Sequence, residues 1–495
     1  MIQELFFLLP MLTVLAGAMS LMLLSHKKTI SLKNFNYIAL FFLLCASLFE
    51  FSALTNEESF YLFESVFGHS LIIDKFATIF DIMFTLGATL TLLVNSDYFK
   101  SRSYFSGEYF ALILFSVFGM MMLSHAHELV TAFIALEIAS LSVYALVGFH
   151  KTKKVSSEAM MKYLILGSLT GAFFMLGTAL IYGAVGSTSL DAIALYVHNT
   201  PLNEMSLLVV GASFLMVTIM FKIGAVPFHS WILDVYHGAP YPITMFMAST
   251  FKIAIFAIAL RLYIVNFAPI NHFWTEMLQA ITILTLLGGS WLAISQNLVK
   301  RMLAGSSIVH SGYLLIGISS IGLGSEVAAP AIMFYLLAYF ISSVGAFGIL
   351  SFIASQSRRQ MSYDDFKGFA VRRPYMALMM SIFMLSLAGF PSTIGFLGKF
   401  YIFTAAIESG QILLAGLGIV TAFISVYYYF KLIAMMYFYP ESAEQKILPI
   451  NISTIMIALM ALTVVWGGIG SSLIPFIPGA DSFIDLAKEA ISSLQ

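Results

Sequence analysis

Long apolar segments constrain this chain more than any other feature. A helix needs about 20 apolar residues to cross the hydrocarbon core of a bilayer, and the 495-residue sequence contains fourteen such segments. Only 10% of the residues are charged, against about 25% in an average soluble domain. We therefore predict an all-α integral membrane protein with fourteen transmembrane spans, at 2–24, 34–54, 72–95, 108–124, 128–149, 159–183, 205–237, 242–263, 275–295, 299–321, 327–354, 374–408, 411–438 and 450–475.

Two of these spans contain an interior proline. Pro227 interrupts the seventh span and Pro391 the twelfth. Irregular backbone inside a bilayer is tolerated only where it is buried in protein or lines a wet cavity, so the breaks indicate an ion pathway. The twelfth span comes five after the seventh, an odd number that reverses its direction. Spans 4–8 and 9–13 are therefore predicted to form two inverted five-helix repeats.

The repeats divide the chain into three N-terminal spans (1–107), a first repeat (108–263), a second repeat (275–438) and a C-terminal span with its tail (450–495). Alternate loops are rich in Lys and Arg, around 26–33, 100–102, 151–154, 300–301 and 358–373, while the intervening loops carry mainly Glu and Asp. Basic loops remain cytoplasmic, so both termini are expected in the periplasm. The first span opens with Glu4 rather than basic residues and is expected to be retained instead of cleaved as a signal peptide.

A few ionisable side chains lie inside the apolar spans. A charge at the centre of a spanning helix costs about 2.5–3.5 kcal/mol on insertion scales, so such a group faces the protein interior and marks a pathway or a fixed pair. The candidates for proton transfer are Glu137, Lys222, Lys252, His310 and Lys399. A static role stays open for each of them, as a counter-charge or a core hydrogen-bonding group. Asp81 and Lys431 are weaker candidates that fit local pairing or anchoring as well as transfer.

Electrostatics makes a buried lysine suitable for this work. A carboxylate that moves towards or away from the ammonium changes how tightly the ammonium holds its proton, by roughly 4–7 kcal/mol at most. Moving one charge across 100 mV costs about 2.3 kcal/mol. A displacement of Glu137 relative to Lys222 would therefore be enough to load and release a proton.

Redox chemistry is not expected in this chain itself. Its one cysteine, Cys45, cannot ligate an iron–sulfur cluster alone, and it shows no glycine fingerprint for a nucleotide. A formal net charge of −1 argues against a nucleic-acid partner. The sequence thus predicts neither a cofactor nor a metal here.

Three motifs in order resemble the antiporter-like membrane subunits of respiratory complex I. They are KIGAVPFHSWILDVYHGAP at 222–240, NLVKRMLAGSSIVHSGY at 297–313 and LAGFPSTIGFLGKF at 387–400. DVYHGAP is similar to the N type of these subunits rather than the M or L type, and the long C-terminal lateral helix of the L type is not expected. Leu233, Gly305 and Ser392 depart from the family pattern, which puts the local geometry there in question.

The resemblance covers essentially the whole chain and implies a function. It assigns Glu137 and Lys222 as a coupled pair, Lys252 as the central connecting lysine, His310 as a relay and Lys399 as the lysine of the second channel. Proton translocation across a bacterial inner membrane is implied, driven by quinone reduction in partner subunits that hold NADH, FMN, iron–sulfur clusters and quinone. Two alternatives stay open: a subunit of a multi-subunit cation/proton antiporter, and a structural scaffold whose lysines form inert pairs.

Overall fold

The protein folds into a bundle of apolar helices. A computed structural model describes residues 8–27, 29–55, 65–66, 69–356, 361–440, 451–473 and 479–494. Within these residues, twelve helices are long and apolar enough to cross a membrane, which confirms a multi-pass, helical membrane protein. The helices are α1 (Leu9–Ser25), α2 (Leu32–Thr55), α3 (Lys75–Val94), α4 (Gly107–Ser124), α5 (Leu129–Val147), α6 (Lys154–Val185), α7 (Leu190–Asn199), α8 (Ser206–Ile223), α9 (Ile232–Gly238), α10 (Tyr241–Phe273), α11 (Thr275–Ile294), α12 (Val299–Gly322), α13 (Ala328–Gln356), α14 (Pro374–Ala388), α15 (Ile394–Glu408), α16 (Ile412–Phe438), α17 (Ile452–Leu473) and α18 (Ala480–Ser492).

Some structure was not expected from the sequence. Helices α7 and α18 are amphipathic and have only 10 and 13 residues, too few to cross a bilayer. Two short strands, β1 (Ser65–Val66) and β2 (Leu71–Ile72), pair with each other in antiparallel orientation. Short helical turns occupy Ser96–Lys100, Leu202–Glu204, Tyr363–Phe366 and Phe369–Arg372. The ends of the first and last predicted spans lie outside the described residues, as do the loop charges Lys28, Glu57, Glu58, Glu64, Arg358 and Arg359.

Helix α12 lies at the centre of the bundle. Its mean hydropathy of 1.3 is the lowest of the twelve candidate spans, yet all residues of its most apolar 18-residue segment are buried. Because the polar side chains of this helix face other helices rather than lipid, α12 is the natural place for an internal polar pathway. Helix α13, also almost fully buried, packs against it.

The first interruption separates α8 from α9. Gly224 ends α8 with a φ of +72°, and a Cβ there would lie 1.8 Å from Cδ1 of Ile232. The break frees backbone groups that find partners elsewhere. The Ile223 carbonyl accepts a hydrogen bond from Ser311 of α12 at 2.8 Å, and the Val226 N–H donates to Thr285 of α11 at 3.0 Å. The interruption is therefore held by neighbouring helices, as buried irregular backbone requires.

The second interruption separates α14 from α15. Gly389 ends α14 with a φ of +84°, and Ser392 also has a positive φ of +71°. Backbone of this hand suits glycine because other residues lose about 1–2 kcal/mol in it. The carbonyl groups at the end of α14 are left without helical partners and point to the site described below.

Candidate functional site

Lys222 lies in the last turn of α8 and points at α5. Its ammonium donates to the hydroxyl groups of Ser140 at 2.8 Å and Tyr144 at 2.9 Å. No ion pair joins it to Glu137 within the described residues. Ser140 comes three residues after Glu137, however, so the carboxylate lies about one helical turn away on the same face of α5. Oε1 of Glu137 is buried and has no hydrogen-bond partner in the described part of the chain.

Lys252 is held by α12. The ammonium donates to the carbonyl of Ser307 at 2.7 Å, to its hydroxyl at 2.6 Å and to the hydroxyl of Ser311 at 2.9 Å. Ser311 in turn donates to the carbonyl of Ile223, the residue that follows Lys222. One hydroxyl group therefore connects Lys252 to the first helix break.

His310 lies on the same helix, between the two serines. Its Nδ1 is 2.5 Å from the hydroxyl of Tyr335 in α13, and its Nε2 is 3.1 Å from the hydroxyl of Tyr429 in α16. The imidazole ring also contacts Tyr339, with ring centroids 4.7 Å apart. Both ring nitrogens thus face hydroxyl groups, which can donate or accept a proton.

Lys399 faces the second break. Its ammonium donates to the carbonyls of Leu387 at 2.9 Å and Ala388 at 2.8 Å, the last residues of α14. The positive charge also suits the negative end of the α14 dipole. Tyr313 of α12 places its ring 5.0 Å from the ammonium, and a cavity of about 340 Å³ borders this lysine and Gly389.

Together these groups form one row, which we call the lysine row: Lys222, Lys252, His310 and Lys399. Helix α12 lies along this row: Ser307 and Ser311 bind Lys252 on either side of His310. The ring of Tyr313 lies 5.7 Å from the ring of His310 and 5.0 Å from the Lys399 ammonium. Sequence reasoning identified the four ionisable members but missed the connecting hydroxyl groups, which are Ser140, Tyr144, Ser307, Ser311, Tyr335 and Tyr429. The spacing of the serines around His310 is the signal that would have found part of this set.

The weaker candidates have local partners. Asp81 accepts from Ser124 at 2.7 Å and contacts Nε2 of His125 at 2.9 Å, and Lys431 lies 4.3 Å from the ring of Tyr363. Both arrangements match the local pairing considered from the sequence.

Lys300, counted above as a loop charge, is buried. It donates to the carbonyl of Ala239 at 2.6 Å, so it is a weak indicator of membrane orientation. Among the residues described, no group of three or more His, Cys, Asp or Glu side chains is placed to hold a metal ion.

Two broken helices with buried lysines beside them make this chain a multi-pass helical membrane protein with a polar interior. Residues 126–425 match the family model described as NADH:quinone oxidoreductase/Mrp antiporter, transmembrane. A chain of respiratory complex I from Thermus thermophilus, solved with bound aureothin, has a TM-score of 0.78 at 28% identity and covers 94% of this chain and 98% of its own. A chain of the Mrp complex from Dietzia sp. has a TM-score of 0.83 at 18% identity and covers 100% of this chain and 98% of its own. At this identity the similarity supports a shared fold and nothing about function.

Sequence similarity narrows the class further. The NADH-quinone oxidoreductase subunit N of Trichlorobacter lovleyi is 38% identical over 427 residues, which are 86% of this chain and 85% of the relative. The chain belongs to the family of NADH-quinone oxidoreductase subunit N.

Proposed function

We propose that this protein is the proton-translocating subunit N of an NADH:quinone oxidoreductase and that protons move through the lysine row. The observation that carries the proposal is the row itself, in which Lys222, Lys252, His310 and Lys399 are buried and are bound by hydroxyl or carbonyl groups rather than carboxylates. Because the partners are neutral, each group can lose its proton without leaving a buried, unpaired anion behind. In a fixed ion pair, loss of the proton would leave the carboxylate partner as such an anion.

Glu137 and Lys222 form the first step of the proposed path. Lys222 donates to Ser140, which comes one helical turn after Glu137 on α5, so the carboxylate would act on the ammonium through space instead of by direct contact. A shift of α5 by a fraction of a turn would bring Glu137 closer to Lys222 or take it away. Such a shift would make Lys222 hold or release its proton, as expected for a coupled pair.

Lys252 is the central member of the path. Ser311 connects it to the first break, and Ser307 anchors it to α12. His310 then relays protons between hydroxyl groups on α13 and α16, since the imidazole can donate at one nitrogen and accept at the other.

Lys399 is the last member of the path. The carbonyls of Leu387 and Ala388 are free to accept from its ammonium because α14 ends at Ala388. We place the exit of the path at the second break, where a cavity of about 340 Å³ borders this lysine. The lining of the cavity is mostly apolar, so water would enter it only beside the ammonium.

The topology follows the same proposal. Fourteen spans result when α1 and the interrupted pair α14 and α15 are added to the twelve candidate helices. Spans 4–8 and 9–13 then form inverted repeats at 108–263 and 275–438, preceded by the three spans of 1–107 and followed by 450–495. We assign the two termini to the periplasm of a bacterial inner membrane.

Partner subunits supply the driving reaction in this proposal. NADH, FMN, iron–sulfur clusters and quinone belong to those subunits, and neighbouring membrane subunits transmit the energy of quinone reduction by electrostatic and conformational changes. The antiporter function remains the alternative, because the fold is similar to that of a chain of the Mrp complex, but the subunit N relatives favour complex I. Co-purification with flavin and iron–sulfur subunits, without sodium dependence, separates the two functions.

Replacing Lys222 tests the mechanism. The Lys222→Met variant has an unbranched, apolar side chain of similar length in place of lysine and so lacks the titrating ammonium group. We expect an assembled complex that oxidises NADH but pumps fewer protons, measured as proton transfer per NADH in proteoliposomes. Lys431→Met is the matched control, because Lys431 lies outside the row, and it should pump normally. Unchanged pumping by Lys222→Met would contradict the mechanism and support the scaffold alternative.

A further inference from the structure

A second cluster of buried ionisable groups lies between α2, α3, α10 and the end of α4. It contains Glu50 of α2, Asp81 of α3 and His125, which follows α4. Next to it, Arg261 of α10 and Asp74 form a buried ion pair at 2.8 Å. The lysine row uses none of these residues, and the hydrogen bonds of the cluster allow its protons to be counted.

The first proton belongs to Asp81 and His125. Nδ1 of His125 is 2.7 Å from the carbonyl oxygen of Ile72, which can only accept, so Nδ1 carries a hydrogen. Nε2 is 2.9 Å from Oδ2 of Asp81, and a hydrogen bond there needs another proton on one of the two atoms. The pair therefore holds one proton more than a neutral imidazole beside a carboxylate.

Electrostatics agrees with this count. Burial by itself lowers the pKa of His125, but the charge and hydrogen bond of Asp81 and the charge of Asp74 raise the pKa above its ordinary value. This direction agrees with the proton that the hydrogen bonds place where the two side chains meet.

The second proton belongs to Glu50. The hydroxyl of Thr85 has one hydrogen but lies 3.0 Å from the carbonyl of Asp81, 3.2 Å from that of Ile82 and 3.0 Å from Oε2 of Glu50. A helical threonine commonly donates to a carbonyl of the preceding turn. The hydroxyl is also placed to donate to Oε2 of Glu50, but when its one hydrogen goes to a carbonyl, the Glu50 contact is a hydrogen bond only with Glu50 as the donor, a carboxylic acid. Its other oxygen, Oε1, has no partner among the described residues, which would be costly for a carboxylate on a side chain that is only 2% exposed.

Among the described residues, no cation forms an ion pair with Glu50. Arg261 is matched by Asp74. Of the other cations on the elements around the cluster, Lys75 pairs with Glu489 at 3.7 Å and His127 with Asp191 at 2.8 Å. Lys252 of α10 is bound by Ser307 and Ser311 of α12. An unpaired buried carboxylate costs several kcal/mol, so a neutral cluster is strongly favoured.

We propose that Glu50, Thr85, Asp81 and His125 form a buried proton-holding site that keeps two protons at neutral pH. One proton makes Glu50 a carboxylic acid, and the other is shared by Asp81 and His125. The site does not depend on the role proposed for the lysine row, and its test measures protonation rather than pumping.

Infrared difference spectroscopy of the intact complex at neutral pH tests the first proton. Subtracting the spectrum of the Glu50→Gln variant from that of the wild type should leave the carbonyl stretch of a carboxylic acid, which shifts in heavy water. Glu204→Gln, at an exposed residue before α8, is the control and should remove carboxylate bands only. If Glu50→Gln also removed only carboxylate bands, Glu50 would be ionised and the proposal overturned.

A second variant covers the case in which Glu50→Gln does not assemble. Thr85→Val keeps Glu50 but removes the hydroxyl that accepts its proton, so the carboxylic acid band should persist and move to higher frequency. Absence of any change in that region would refute the arrangement. For the second proton, the difference between wild type and His125→Gln should contain imidazolium or carboxylic acid bands. Bands of neutral imidazole with carboxylate would overturn the count.

Discussion

Replacing Ser311 removes the hydrogen-bonded connection between Lys252 and the first helix break without removing a charge from the lysine row. Its hydroxyl oxygen accepts from the Lys252 ammonium at 2.9 Å, and its hydrogen goes to the carbonyl of Ile223 at 2.8 Å. The Ser311→Ala variant removes both bonds and leaves Lys252 with the two oxygens of Ser307. The titrating groups stay in place, and only their connection is lost.

The size of the effect follows from the bonds removed. A hydrogen bond to a charged group contributes about 1.5–3 kcal/mol, and a neutral one about 0.5–1.5 kcal/mol. If the charged bond is lost at the transfer step, that step slows by about 10- to 150-fold. Proton transfer should then limit pumping, while folding loses only the smaller amount expected for one buried hydroxyl group.

The assay compares two serine variants of the assembled complex in proteoliposomes. Ser290→Ala is the control, because Ser290 is also buried but donates to the Leu286 carbonyl of its own helix, at 2.7 Å. We expect Ser311→Ala to transfer fewer protons per NADH oxidised and Ser290→Ala to match the wild type. Equal pumping by the two variants would refute the idea that Ser311 connects Lys252 to the first break.

Two further predictions concern the second break and the buried ion pair. Gly389→Ala should lower both pumping and the melting temperature of the complex. A Cβ there, at a φ of +84°, would lie 2.8 Å from Cδ of Lys399, and the left-handed backbone costs a non-glycine residue about 1–2 kcal/mol. The control is Gly416→Ala, where a Cβ meets nothing within 4 Å, and it should leave pumping and melting temperature unchanged. Asp74→Asn should destabilise the protein by about 3–5 kcal/mol in denaturant unfolding, since it leaves a buried guanidinium without its partner. Asp485→Asn, in an exposed pair, should cost about 0–1 kcal/mol, and a similar loss from both aspartate variants would contradict the burial argument.

The apolar segments predicted most helix positions because their length and hydropathy are local properties of the chain. Helices α7 and α18 were missed for the same reason, since short amphipathic segments resemble surface loops when only spanning helices are sought. Lys300 shows a related limit. It occurs in a sequence typical of a loop, but its ammonium is buried against the carbonyl of Ala239, and only the packed structure places it there.

The site divides in a similar way. A charge within an apolar span is costly wherever the helix packs, so Glu137, Lys222, Lys252, His310 and Lys399 could be identified from the sequence alone. Their partners could not. Serine and tyrosine are common in membrane helices, and only the packing of α12 against α8 and α10 shows that Ser311 contacts Lys252 and the Ile223 carbonyl.

The sequence by itself determined that the protein is a helical membrane protein, where its helices are interrupted and that Lys222, Lys252, His310 and Lys399 are buried. The tertiary structure alone decided that Lys222 contacts Ser140 and Tyr144 rather than Glu137, and that Lys399 binds the end of α14. The physical reason is that hydropathy and proline act along the chain, whereas a hydrogen bond between helices depends on which faces meet. That pairing is a property of the whole bundle.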